Sequence, residues 1–187
     1  MRRQAGGQRG GGDAWLIEQS LERPQLFAAI FDRHFNAVHG YLSRRIGSDR
    51  ADDLAAATFT VAFERRATFR TGGGDARPWL YGIATNLLRN EKRAERRALQ
   101  LVAELADSQR TAPAGEAAAI GEALSALDPD QRDALLLFAW EGLGYEEIAA
   151  TLGIPVGTVR SRLSRARTRL RAAFDPPSVT DPDEVRR

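Results

Sequence analysis

The stretch YEEIAATLGIPVGTVRSRLSRARTRLR, residues 145–171, reads as two helices separated by a tight turn. On the first, Ile148 and Leu152 recur at helical spacing, and Ala149 is the small residue that lets a second helix cross close by. Gly153 accepts a positive φ without a Cβ penalty, and Pro155 stands where the next helix begins, so no backbone bond is lost there. On the second helix Val159, Leu163, Ala166 and Leu170 face inward, while Arg160, Arg162, Arg165, Arg167, Arg169 and Arg171 have no acidic residue among them. A solvated helix face normally mixes signs into i,i+4 pairs, whereas uncompensated arginines repel one another unless they meet a polyanion. The pattern predicts a helix-turn-helix whose second helix binds duplex DNA.

Working outward, 187 residues with 43% hydrophobic content suit two small domains better than one large one. The formal charge of +2 conceals segregation, with acids at Asp49, Asp52, Asp53, Glu141, Glu146 and Glu147 and bases over residues 89–97 and 160–171. Without cysteine the chain has neither disulfides nor thiolate metal sites, which suits a reducing cytoplasm. His34 and His39 are five apart and do not share a helical face, so no metal site is expected. The glycine run at 71–74 lacks the lysine of a phosphate-binding loop; neither cofactor nor catalysis is expected. No apolar segment has the length of a membrane span.

Residues 1–13, rich in Gly, Gln and Arg, read as a disordered arm, with structure beginning near Trp15. Phe27, Ile30, Phe31, Phe35, Val38, Tyr41 and Leu42 mark a helix that Gly47 ends. Asp49, Asp52 and Asp53 favour the start of another, reaching about Thr68, with Leu54, Thr58, Val61 and Ala62 as its inward stripe. Pro78 opens a third, PWLYGIATNLLRNEKRAERR, which changes from apolar to basic as it proceeds; Trp79 is expected in the core. Residues 98–119 read as a flexible linker with some helical tendency. Asp128-Pro129 then caps a helix over 130–140 whose Leu135, Leu136, Phe138 and Ala139 pack beneath the helix-turn-helix, and residues 175–187 form a fraying tail. With no alternating pattern long enough for a sheet, the class is all-α: two small helical domains, 14–97 and 120–174.

This arrangement resembles the extracytoplasmic-function sigma factors of bacterial RNA polymerase, the two-domain members of the sigma-70 family. The resemblance runs from about Leu26 to Phe174. LSALDPDQRDALLLFAWEGLGYEEIAATLGIPVGTVRSRLSRARTRLR is similar to the family's fourth conserved region, a winged-helix-like helix-turn-helix, and DRADDLAAATFTVAFERRATF and ARPWLYGIATNLLRNEKRAERR are similar to the clamp-docking and promoter-opening helices of its second. Ala56-Ala57 depart from the family's usual Gln-Glu before Thr-Phe. The resemblance implies contacts to the minus-35 element by Thr158, Arg160, Ser161, Arg162, Ser164 and Arg165. It implies minus-10 contacts and strand opening by Asn86, Arg89, Asn90, Arg93, Arg96 and Arg97, and docking on core polymerase by Asp49, Asp52, Asp53, Leu54, Thr58 and Phe59. Of the six minus-35 residues, Arg160 and Arg165 are placed nearest the bases, because arginine can pair bidentately with guanine. For the opening helix, planar and cationic side chains are what unstacked bases and their phosphates require.

The function this implies is a sigma factor that binds core RNA polymerase through its beta-prime clamp and beta flap, directs initiation at promoter DNA, and is restrained by an anti-sigma factor in the cytoplasm. The alternative is a helix-turn-helix regulator that acts by occupancy, its N-terminal module serving dimerisation or signal binding.

Overall fold

The computed structural model of the chain describes residues 11–70, 74–103 and 116–174, and every regular element among them is helical. The chain divides into two compact units, Met1–Leu105 and Ala106–Arg187.

The first unit begins earlier than composition suggests. Helix α1, Asp13–Gln19, buries Leu16 and Ile17, and its first residue, assigned above to a disordered arm, is itself buried. Residues 1–10 of that arm lie outside the described residues. A short 3-10 turn, Pro24–Phe27, leads into α2, Ala28–Ile46, whose Ile30, Val38, Tyr41 and Leu42 face the core. Gly47 ends α2 at φ 84° and ψ 160°, a conformation open in practice only to glycine, and α3, Ser48–Arg65, starts at once. The inward stripe of α3 is Ala51, Ala55, Thr58, Phe59 and Ala62, which keeps the expected Thr58 and Ala62 but not Leu54 and Val61. Leu54 and Val61 stay half-buried, because the alanines let α3 lie close against its neighbours on the side away from both.

Helix α4, Arg77–Ala103, is longer than the expected 78–97 and takes up the start of the presumed linker. Ala98, Leu99 and Gln100 are all strong helix formers, so nothing local stops it at Arg97. Its apolar half buries Leu80, Tyr81, Ala84 and Leu88. The Tyr41 hydroxyl and Thr85 Oγ1 share a buried hydrogen bond of 2.7 Å, satisfying polar atoms where α2 meets α4. Arg50 of α3 holds α4 from its other side, with Nη2 2.5 Å from a Glu91 oxygen and Nη1 3.5 Å from Glu95.

In the second unit α5, Glu116–Ser125, leads to α6, Pro129–Ala139. Asp128 caps α6 as expected, its carboxylate accepting the Asp130 N–H at 2.9 Å. Arg132 donates to the carbonyls of Leu124, Ser125 and Leu127, supplying donors that the C-terminal end of α5 lacks. Leu135 and Leu136 are buried in α6 as expected, together with Ala134 and Leu137, whereas Phe138 is half-buried and Ala139 exposed. Helix α7, Tyr145–Leu152, begins with the Glu147 carboxylate accepting the Gly144 N–H at 2.7 Å. It ends at Gly153, φ 65° and ψ 37°, the left-handed cap that turns the chain into α8, Val156–Phe174. Ile148, Val159, Leu163 and Ala166 close the core between α7 and α8, and among the described residues this motif is built from helices alone.

Candidate nucleic-acid interface

Burial of Val159, Leu163 and Ala166 decides which way α8 faces. Opposite them stand Gly157, Ser161, Ser164 and Thr168, four small residues spaced four, three and four apart, with Arg160 and Arg165 to either side. Small side chains let a helix backbone lie close to a groove, and flanking arginines then reach base edges and phosphates. Ser161 donates its hydroxyl to the Thr158 carbonyl at 2.9 Å and Thr168 to that of Ser164 at 3.1 Å, so their bonding capacity is part-used along the helix. Gly157 and Thr168 were not singled out from sequence; only the position of the buried stripe reveals them.

The arginines of α8 are not equivalent. Arg162, named above among the minus-35 contacts, turns to Asp130 of α6, with Nη2 2.5 Å from the carboxylate and its side chain only 19% exposed. It ties α8 to the helix beneath. The partner was invisible in the acid-free run because it lies 32 residues upstream. Arg167 lies over the Phe138 ring at 5.0 Å and Arg160 over Tyr145 at 6.0 Å. Arg165, Arg169 and Arg171 extend outward with no partner among the described residues.

On α4 the exposed residues Asn86, Asn90, Arg93 and Arg97 are spaced four, three and four apart, making one stripe about 16 Å long at 1.5 Å per residue. Arg89 is half-buried beside it, and the side chain of Arg96 lies outside the described residues. The two glutamates of this segment, Glu91 and Glu95, stand on the other side of the helix with Arg50, so the stripe itself is free of negative charge. Aromatic surface comes from Trp79, half-buried and packed edge-on against Phe69 with centroids 5.1 Å apart. Trp79 is therefore less buried than expected, while Tyr81 is a core residue, packed on Tyr41 at 5.1 Å.

On α3 Asp49, Asp52 and Asp53 are exposed and Leu54 half-buried. Thr58 and Phe59, named above for polymerase docking, are instead buried. Both fall on the same helical face as Ala51, Ala55 and Ala62: Thr58 donates to the Leu54 carbonyl at 2.7 Å, and Phe59 packs edge-on against Phe31 at 5.0 Å. What replaces them at the surface comes from α2, a contribution the sequence reading missed. Phe31 is exposed, Phe35 stacks on His39, and His39 Nε2 lies 2.9 Å from Asp52. Carboxylates and aromatic faces thus share one patch.

Each unit matches a family description. Residues 30–98 match sigma-70 region 2 and residues 117–170 match sigma-70 region 4. The chain is 35% identical, over 74% of its length and 80% of the relative's, to the ECF RNA polymerase sigma factor EcfG of Rhodopseudomonas palustris. It is 34% identical, over 78% of its length and 87% of the relative's, to the RNA polymerase sigma factor CarQ of Myxococcus xanthus. Among solved structures, the sigma factor RpoE in complex with the anti-sigma factor NepR from Bartonella quintana superposes with a TM-score of 0.64 at 29% identity, covering 81% of this chain and 98% of that one. CnrH in complex with the cytosolic domain of CnrY gives 0.66 at 28% identity, covering 90% and 100%.

Proposed function

This chain belongs to the extracytoplasmic-function RNA polymerase sigma factors of the sigma-70 family, and from that membership we propose how its own residues divide the work. The protein directs promoter-specific transcription initiation with core RNA polymerase. The plain regulator acting by occupancy is set aside because residues 30–98 match the sigma region 2 and not only a DNA-binding helix-turn-helix.

In our reading α8 enters the major groove of the minus-35 element along its small-residue face, with Arg160 and Arg165 nearest bases and Arg167, Arg169 and Arg171 on phosphates or neighbouring surfaces. Helix α4 meets the minus-10 element with Asn86, Asn90, Arg93 and Arg97, the asparagines offering amides to unstacked bases and the arginines following the backbone. The patch of Asp49, Asp52 and Asp53 with Phe31 and Phe35 docks on the polymerase clamp. Polymerisation chemistry belongs to the partner enzyme, and the place of work is the cytoplasm; no helix among the described residues is long and apolar enough to cross a membrane. An anti-sigma protein is the inhibitor expected, since the similar solved sigma factor RpoE is bound to one.

The observation that carries this reading is the pairing of two matched regions with two acid-free exposed faces, one on each unit. In vitro transcription from a promoter library tests it. Core polymerase supplemented with this protein should start at sites sharing two upstream motifs, and an Arg160→Glu/Arg165→Glu variant should lose those starts while still binding core. Unchanged starts would overturn the assignment of α8.

A further inference from the structure

Helix α1 lies outside both matched regions, yet it holds a buried carboxylate with three hydrogen-bonding partners. Asp13 is 5% exposed. Its Oδ1 takes a hydrogen bond from Arg33 Nη1, and its Oδ2 lies 2.7 Å from His34 Nε2 and accepts the backbone N–H of Ala76 at 2.9 Å. The sequence separations are 20, 21 and 63 residues, so one side chain joins the start of α1, the first half of α2 and the residue just before α4. Beside it Asp75 accepts from the Arg77 N–H and guanidinium, both at 2.8 Å, closing the same short segment from the other side.

Asp13, His34 and Asp75 offer oxygen and nitrogen atoms within 4.8 Å of one another, a spacing a cation would accept. The bonding argues otherwise: both oxygens of Asp13 are already engaged by N–H donors, and a cation would have to displace Arg33. What the cluster does is anchor backbone. A buried backbone N–H outside the helical ladder needs an acceptor, and Ala76 is wholly buried. The acceptor comes from a helix with no other evident task in initiation.

We infer that Asp13 is a positioning residue for promoter opening: by holding Ala76 N–H against α2 it fixes where α4 begins, and hence the pose in which Trp79 and the Asn86 to Arg97 stripe meet the minus-10 element. Asp13 touches no DNA in this scheme. The inference rests on the opening role proposed for α4.

The experiment compares holoenzyme made with wild-type, Asp13→Ala, Asp13→Asn and Asn86→Ala/Arg93→Ala chains on two templates of one sequence, a duplex promoter and the same promoter with its minus-10 region already unpaired. Asp13→Ala should initiate about tenfold less often on the duplex, the factor that about 1.4 kcal/mol represents. It should approach wild type on the unpaired template, and core binding should be unchanged. Asp13→Asn retains one acceptor oxygen and should fall between. Should Asp13→Ala fail to fold, Asp13→Asn carries the test alone. Equal losses on both templates, or wild-type opening by both Asp13 variants, would overturn the inference. Loss of opening in Asn86→Ala/Arg93→Ala with none in the Asp13 variants would sink the role of Asp13 alone, whereas normal opening by Asn86→Ala/Arg93→Ala would sink the reading of α4.

Discussion

Truncating Arg162 to alanine should weaken every minus-35 sequence by the same factor, while truncating Arg165 should relax the reading of one base. Arg162 is engaged with Asp130 at 2.5 Å, and the two side chains are 19% and 43% exposed. A buried charge-assisted hydrogen bond contributes about 1.5–3 kcal/mol and a fully exposed ion pair about 0.2–1 kcal/mol. For a pair open to water on the Asp130 side, about 1 kcal/mol follows, roughly a fivefold shift in the fraction of α8 docked on α6. Arg165 has no partner among the described residues, so its removal leaves the fold alone. If it pairs with guanine, one position of the element should lose about 1–3 kcal/mol of discrimination. The assay is competition binding of holoenzyme to single-base variants of the minus-35 element, alongside amide hydrogen exchange over α8. Arg162→Ala should speed exchange in α8 about fivefold, Asp130→Asn should do the same, and the double variant should add little. Relaxed discrimination at one base in Arg162→Ala, with α8 exchange unchanged, would refute the argument and make Arg162 a reader of DNA.

Further outcomes follow from other contacts. Ile148→Ala opens a cavity at a fully buried position between α7 and α8 and should cost about 2–5 kcal/mol, read as loss of the second unit's thermal transition and of minus-35 binding together. Gly153→Ala places a Cβ at φ 65° and should cost about 1–2 kcal/mol by chemical denaturation, although nothing lies within 4 Å of the new atom. Burial pushes the Asp13 carboxyl up, but the Ala76 N–H, the His34 charge and the hydrogen bonds from Arg33 and His34 outweigh it and hold it below the usual range. A lowered carboxylate contributes stability above its unfolded value of about 3.9 and loses it as pH falls through the lower folded value. The acid limb of the first unit should therefore be less steep in Asp13→Asn than in wild type when followed by circular dichroism, and superimposable limbs would exclude this contribution.

The elements that could be read from the chain were those whose information is local. The helix-turn-helix announces itself through a 3.6-residue apolar period broken by Gly153 and Pro155, and Asp128-Pro129 marks a helix start by its own chemistry. What escaped depends on partners far away in sequence. Asp13 looked like the end of a glycine-rich arm because its partners are 20 to 63 residues distant, and Arg162 looked free because Asp130 belongs to another helix. Thr58 and Phe59 sit in a motif associated with docking, but the face they occupy is set by how closely alanines let α3 approach its neighbours. Composition also misled at residues 98–103, where an alanine-rich run taken for linker continues α4.

The hold of Arg50 on Glu91 and Glu95 has a further consequence for how α4 meets a nucleic acid strand. A helix carrying cations on one side and carboxylates on the other is polarised across its axis. Arg50 compensates those carboxylates, so this side of α4 offers a strand no cation to draw its phosphates. Attraction is thus confined to the stripe, while the opposite side is taken up by α3 and its ion pairs. Arg50, which faces away from the stripe, guards its orientation by keeping the negative side occupied.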